Sequence, residues 1–213
     1  MAEAGLPGPR CAAYLQERAL GGAAMIVTEP VPAHRTGVLT RGNFGAEDHP
    51  TIPGFLKITE SVRAAGTVII LKIYHVGAHG DPDLSFQPHW SPSGGPSHHG
   101  SHGSHRVTEA EIEELIAAHI AAAVRSRKAG FDGAELWAAH HSLLDQFRTR
   151  WSNRRDDQWS GGLHNRTRFS RRIIEGVPPR LWRGFHHRPR HLDVRQSQRS
   201  ASGRGAGRGC GAP

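Results

Sequence analysis

The sequence predicts an α/β fold carried on a parallel sheet, and three observations predict it. Helix-patterned and strand-patterned segments alternate along residues 10–175. The strand segments are near-continuous apolar runs, as in strands buried on both faces. Two successive strands run directly into polar, histidine-bearing segments, at His75–Gly80 and His140–Ser142. Barrels gather their chemistry at strand C-terminal ends in this way. A (β/α)₈ barrel and a doubly wound sheet both satisfy the alternation. No strand is followed by Gly-x-Gly-x-x-Gly and no phosphate loop is present, which favours the barrel. Three strands fall short of the eight that close one, so the expectation is a partial (β/α)₈ barrel over residues 1–176.

The elements follow in order. Residues 10–20 pattern as a helix closed by Gly21-Gly22. Ala23–Thr28 is a brief apolar strand, with Pro30 and Pro32 expected to stop it. Residues 31–49 read as a long loop, and Thr51–Ala65 as a helix whose apolar positions Ile52, Phe55, Leu56, Ile58 and Val62 fall near helical spacing. Thr67–Tyr74 is a buried strand. Residues 80–107, rich in Pro, Gly, Ser and His, are expected to form a mobile insertion loop. Thr108-Glu-Ala-Glu111 is a capping box. The helix it opens places Ile112, Leu115, Ile116, Ile120, Ala123 and Val124 on one face, has basic residues in its last turn, and closes at Gly130. Phe131–Trp137 is the third strand, and Leu163–Glu175 a final helix.

Composition bounds the function. Cys11 and Cys210 lie near opposite ends, too few and too far apart for a disulfide framework or a cysteine metal site. No apolar run approaches the roughly 20 residues of a membrane span. A cytoplasmic protein is the expectation. The formal net charge is +8, yet residues 177–213 hold eight arginines against one acid, Asp193, so nearly all of the excess sits there. Such segregation argues against a folded nucleic-acid surface, although it leaves a basic arm as the weaker reading of the tail. Nothing in the sequence sets an oligomeric state.

The segment 137–169 carries the most specific pattern. Ala139, His140, Leu143, Gln146 and Phe147 are followed by Asn153, Arg154, Arg155, Asp157, Trp159, Gly161, Asn165, Arg166, Arg168 and Phe169. Upstream stand Ile-Tyr-His75-Val-Gly77 and the run from Glu17-Arg18-Ala19 through Gly21-Gly22 to Val27-Thr28-Glu29. Over residues 14–176 the chain resembles the Old Yellow Enzyme family of FMN-dependent NAD(P)H:flavin oxidoreductases. It looks most like the larger branch with dienoyl-CoA reductases, amine dehydrogenases and mycofactocin-associated members.

The resemblance implies strands 2–4 of a TIM barrel, FMN across the strand ends, NAD(P)H as co-substrate, and a small organic substrate over the ring. It implies an iron–sulfur cluster only in a longer parent. By family role, His140 and Trp137 stand on the catalytic side, and Glu29, Lys72 and His75 on the cofactor side. An imidazole at His140 suits hydrogen bonding to a polar substrate group near neutral pH. Lys72 stands where the family has a Gln to the flavin pyrimidine, and it can donate there but not accept. Trp137 replaces the first family His, or the Tyr of the amine dehydrogenases, and Ser142 replaces the Tyr proton donor.

Blander readings stand beside these. His75 and His79 either line the site or pack structurally. His141 reads as a solvated loop histidine. His98, His99, His102 and His105 look like a metal tract, but their Gly/Ser context fixes no geometry. Arg154–Asp157 is expected to be an ion-paired loop bracing the barrel rim. Ser142 with His140 lacks a Gly-x-Ser-x-Gly elbow, which argues against hydrolysis. The Arg/Gly/Ser-rich tail, 177–213, has no helix or strand period and is expected to be disordered. A shifted reading frame near 176–181 is a further expectation: codons for 181–192 slipped by one base can read Cys-Gly-Glu-Asp-Phe-Ile-Ile-Gly-Leu-Ala-Ile, a helix–strand junction. Two functions therefore compete: an FMN-dependent oxidoreductase, and a non-catalytic fragment of one with weak or no flavin binding.

Overall fold

The structure is a computed structural model that describes residues 2–39, 43–45, 51–80, 88–97, 103–179 and 181. A small antiparallel hairpin, β1 (Ala2–Glu3) with β2 (Leu6–Pro7), leads into α1 (Pro9–Leu20). Proline at the first helical position has no N–H to leave unpaired. Cys11, Leu15 and Ala19, four apart, form the buried stripe of α1.

The central sheet departs from the expected strand at residues 23–28. Met25–Val27 (β3) pairs in parallel with β5 (Val68–Tyr74), and the chain then rejoins the same partner as β4 (Val31–Pro32). The prolines interrupt the strand and do not end it. Across the gap the Thr28 hydroxyl takes a bond from the Lys72 N–H (3.2 Å), replacing a backbone acceptor. Beyond it the Ala33 N–H reaches the Tyr74 carbonyl at 2.8 Å, so the missing donor of Pro32 interrupts no bond to β5.

α2 (Thr51–Ala64) buries Phe55, Ile58 and Val62. On the other side of β5 lies β9 (Gly133–Leu136), parallel and in register from Ile70↔Gly133 to Ile73↔Leu136. This ladder is shorter than the expected Phe131–Trp137. Asp132 explains its late start: its carboxylate accepts from the Ile69 N–H (2.9 Å) and from the Arg63 guanidinium (2.7 Å). Phe131 meanwhile turns into the core against Phe55, with ring centroids 5.3 Å apart.

Segments 88–97 and 103–107 carry short strands, where the sequence reads only a loop. β6 (Trp90–Ser91), β7 (Gly95–Pro96) and β8 (Gly103–Arg106) form a small sheet in which β8 pairs with both others. Burial of Trp90 and Val107 anchors it. α3 (Glu109–Lys128) opens with the expected capping box between Thr108 and Glu111. The chain ends its described part in α4 (Leu143–Arg148), α5 (Leu163–Arg166) and α6 (Arg168–Gly176), so the expected final helix is broken near Thr167.

Ile69, Leu71 and Ile73 share one apolar cluster with side chains of α1, α2 and α3. These helices therefore cover a single face of the sheet, as around a barrel, whereas a doubly wound sheet is covered on both. A second cluster joins Ile112, Leu115 and Ile116 to Leu143, Phe147, Trp159 and Phe169. Phe147 and Phe169 stack at 4.6 Å, and full burial of such rings contributes about 2–3 kcal/mol each. α3 carries side chains of both clusters and so joins the sheet to the loops at its C-terminal edge. Of the expected disordered tail, 177–213, residues 177–179 and 181 are described, with Val177 and Leu181 packed on the first cluster, and the rest, with the frame-shift reading, lies outside the described residues.

Candidate functional site

The ends of β5 and β9 open into a cleft of about 540 Å³ lined by Tyr74, Trp137, His79, His140 and His141, among others. Trp137 leaves β9 with its N–H on the Ile73 carbonyl (2.9 Å). Its ring lies 5.6 Å from Tyr74 and 5.5 Å, edge-on, from His140. The turn that follows is strained. His140 and His141 both hold left-handed backbone, φ +54° and +55°, unusual for residues with a Cβ.

Three side chains over-determine that turn. The Ser142 hydroxyl donates to the Trp137 carbonyl (2.9 Å), the His141 N–H donates to Asp145 (3.1 Å), and the Gln146 amide donates to the His141 carbonyl (2.7 Å). Gln146 is buried and also accepts from the Ala78 N–H at 3.2 Å. Any side chain at Gly77, φ +69°, would strike it. The Gly77 and Gln146 of the sequence pattern are thus one contact between two loops. Strain held this firmly is commonest at functional sites.

Trp137, His140 and Lys72 come together. The Lys72 ammonium lies 3.4 Å from Glu135 and 5.4 Å from the Trp137 ring centroid. His75 does not join them. It is fully buried in a group with His34 and His119, its Nδ1 accepting from the Gly77 N–H (3.0 Å) and its Nε2 2.9 Å from the Thr36 hydroxyl. Burial, with the neighbouring imidazoles, holds His75 well below the ordinary histidine range. Glu29 lines a separate cavity of about 430 Å³ beside α1, with Cys11, Tyr14 and Arg18.

His79, read from the sequence as either lining the site or packing structurally, lines the cleft, whereas Tyr74 and His141 are cleft residues to which the sequence assigns no site role. The Tyr74 hydroxyl accepts from the Leu39 N–H at 3.3 Å, and burial raises its pKa, so the phenol stays protonated. His79 and His141 contact each other, Nε2 to Nδ1, at 2.6 Å. Tyr74 sits at an apolar strand position where periodicity reads only core. The His79–His141 contact spans 62 residues and leaves no local signal.

The Arg154–Asp157 segment is a brace. Buried Arg155 donates to the carbonyls of Pro92 (2.8 Å) and Val107 (2.6 Å) and forks onto Asp157. Asn153 holds the Phe147 and Trp159 carbonyls. Among the described residues no group of three or more His, Cys, Asp or Glu side chains could hold a metal ion. His98, His99 and His102 lie outside them, and His105 bonds Glu111 at 2.8 Å. Among the described residues no helix is long and apolar enough to cross a membrane.

Comparison with known proteins agrees with this architecture. The NADPH dehydrogenase of Bacillus velezensis is 33% identical over 172 residues, covering 81% of this chain and 50% of that protein. The NADH oxidase of Thermoanaerobacter brockii is 33% identical over 178 residues, 82% of this chain and 27% of that protein. Among solved structures, the old yellow enzyme homologue of Zymomonas mobilis superposes with a TM-score of 0.76 at 26% identity, covering 84% of this chain and 52% of that one. A 2-naphthoyl-CoA reductase complex gives a TM-score of 0.78 at 30% identity, covering 85% and 29%. The chain therefore spans between about a quarter and a half of these proteins. The model of the NADH:flavin oxidoreductase / NADH oxidase family matches residues 2–200, and the chain belongs to that family.

Proposed function

We propose that the chain carries the substrate side of an FMN-dependent NAD(P)H oxidoreductase, which moves a hydride between a nicotinamide, the flavin and a small organic molecule. The observation that supports this most directly is the cleft at the strand C-terminal ends, with Trp137, His140 and Tyr74 on its walls. Its volume lies within the range of small-molecule and cofactor sites, about 300–1,000 Å³, and its aromatic walls suit a flat heteroaromatic ring. The imidazoles of His79, His140 and His141 supply polar groups on its walls, and the Lys72 ammonium lies 5.4 Å from the ring centroid of Trp137. Among the described residues, none that lines the cleft carries a permanent positive charge, so the fit is to the ring of FMN and not to its phosphate.

Bound flavin would supply the two-electron hydride chemistry. The protein's own part is binding and proton management. Lys72 would donate to a carbonyl of the ring system, and its ion pair with Glu135 fixes the ammonium for that task. His140, exposed and held by its turn, would hydrogen-bond a carbonyl or amine of the substrate. Trp137 would pack against both.

The test is direct. The 213-residue chain is purified with excess FMN, freed of unbound flavin, and examined by absorbance before and after anaerobic NADH or NADPH. Stoichiometric yellow protein that bleaches supports the proposal. Colourless protein with a native melting transition would instead establish a flavin-free fragment. That second reading draws on one observation, the chain's span of about half its dehydrogenase relatives or less.

A further inference from the structure

A second pocket, of about 290 Å³, adjoins the cleft, and His79 and His141 line both. Its chemistry differs from that of the cleft. Arg154 gives it a permanent positive charge, and among the described residues no carboxylate lines it. The Arg154 backbone N–H donates to the Ser93 hydroxyl (2.7 Å), and its Nε donates to the Trp151 carbonyl (2.9 Å). Those bonds hold the side chain in place, while its two terminal nitrogens have no partner among the described residues. The Ser93 hydroxyl accepts from Arg154, so its own proton is left to donate. Gly94 and Gly95, in left-handed backbone at φ +75° and +103°, leave part of the wall bare of side chains. A guanidinium fork and a hydroxyl donor beside bare backbone suit phosphate oxygens. Trp151 also lines the pocket and is 75% exposed, with its ring centroid 5.6 Å from the Arg154 guanidinium carbon. An aromatic face open to solvent beside a cation is a platform on which a nucleotide base stacks.

We infer that this pocket binds a nucleoside diphosphate group, with the diphosphate on Arg154 and Ser93 and the base on Trp151. The inference deepens the hydride-transfer reading above and rests on it for one point, that the ligand's reacting end lies in the cleft. A ligand flat at one end and polyanionic at the other finds each end matched by one of two neighbouring cavities. The cleft offers aromatic walls, and the second pocket offers the cation that the cleft's described residues lack. At about 290 Å³ the pocket holds a diphosphate but not a whole nucleotide, which puts the base outside, on the exposed indole. Nicotinamide coenzymes and coenzyme A thioesters both carry this group, so the shared chemistry is adenosine diphosphate. Arg150, exposed and next to Trp151, adds positive charge on the approach to the pocket.

The experiment titrates ADP and inorganic pyrophosphate calorimetrically into the full chain, as wild type, Arg154→Gln and Trp151→Ala. Both substituted side chains are exposed, so both variants should melt as the wild type does. Wild type should bind ADP saturably, and Arg154→Gln should weaken both ligands about tenfold. Trp151→Ala should weaken ADP about tenfold and leave pyrophosphate unchanged, which separates the seat of the base from that of the anion. No saturable ADP binding by the wild type, or equal binding by folded Arg154→Gln, overturns the inference. NADH and coenzyme A distinguish the two sources. Each should displace ADP, and the one that binds more tightly identifies the natural ligand; displacement by neither also overturns the inference. FMN absorbance of the same samples reports the flavin reading separately. ADP binding by a chain that holds no FMN keeps the nucleotide pocket and sinks the flavin reading, and the converse removes the pocket alone.

Discussion

Nε2 of His75 lies 2.9 Å from Oγ1 of Thr36, tying the loop after β5 to the loop after β4. Because His75 Nδ1 accepts from the Gly77 N–H, Nε2 carries the proton and donates to Thr36. Thr36 in turn gives its hydroxyl proton to His34 Nδ1 (2.7 Å), and His34 Nε2 donates to Glu114 on α3 (3.0 Å). One directed chain thus joins both strand-end loops to the helix behind them.

Replacing Thr36 with Val keeps the shape but strands the buried donor of His75. The expected cost is about 1–3 kcal/mol in urea or thermal unfolding. Glu114→Gln, at the half-exposed outer end, should cost much less. Equal effects from the two would refute the directed network.

Acid should destabilise the fold through the same group. Burial lowers His75 well below 6.5 and His119 to about 4. The unfolded chain takes up these protons first, so this stability is present above about pH 6.5 and is lost as the pH falls towards 4. The slope approaches roughly 1.4 kcal/mol per pH unit for each histidine. Urea midpoints at pH 7.5, 6 and 5 measure it, and His119→Gln should flatten the curve. A wild-type midpoint that does not move over this range would contradict the assignment.

Arg155 is buried and satisfies two loop carbonyls as well as Asp157. Arg155→Ala removes a donor from all three, leaving Asp157 only the Trp159 N–H, and should destabilise by about 3 kcal/mol or more. Arg155→Lys should recover little of this, since an ammonium cannot reproduce the planar fork. Chemical denaturation distinguishes this brace from a solvated charge run, for which both changes would stay within about 0.5 kcal/mol.

His140→Gly separates chemistry from folding. Glycine relieves the left-handed backbone at φ +54°, so stability should hold or rise by up to about 1 kcal/mol. Under the proposed function, turnover of the flavin-loaded protein should fall about 100-fold. An unchanged rate would remove His140 from the catalytic side.

A chain ending at Leu181 should melt within about 0.5 kcal/mol of the full chain. Val177 and Leu181 pack on the apolar cluster behind the sheet, and the folded unit is proposed to need nothing beyond them. A large loss of stability on this truncation would give the tail a structural part.

The sequence by itself determined the helices and strands of the sheet, because burial against one face imposes a period that residues such as Phe55, Ile58, Ile112 and Leu115 display locally. It also determined the family, since the Gln146–Phe169 pattern encodes contacts that the structure shows as a brace around Trp159 and Arg155. Tertiary structure alone decided which strand-end groups share a cavity. His75 and Tyr74 are adjacent in sequence, yet successive strand residues point to opposite faces, which sent His75 into the core and Tyr74 into the cleft. Likewise Pro32 looked like a stop until the Ala33 N–H was seen to carry the ladder past it. The pairing of His79 with His141 needed two loops brought together by Gln146 across 68 residues, a distance over which no periodicity reports.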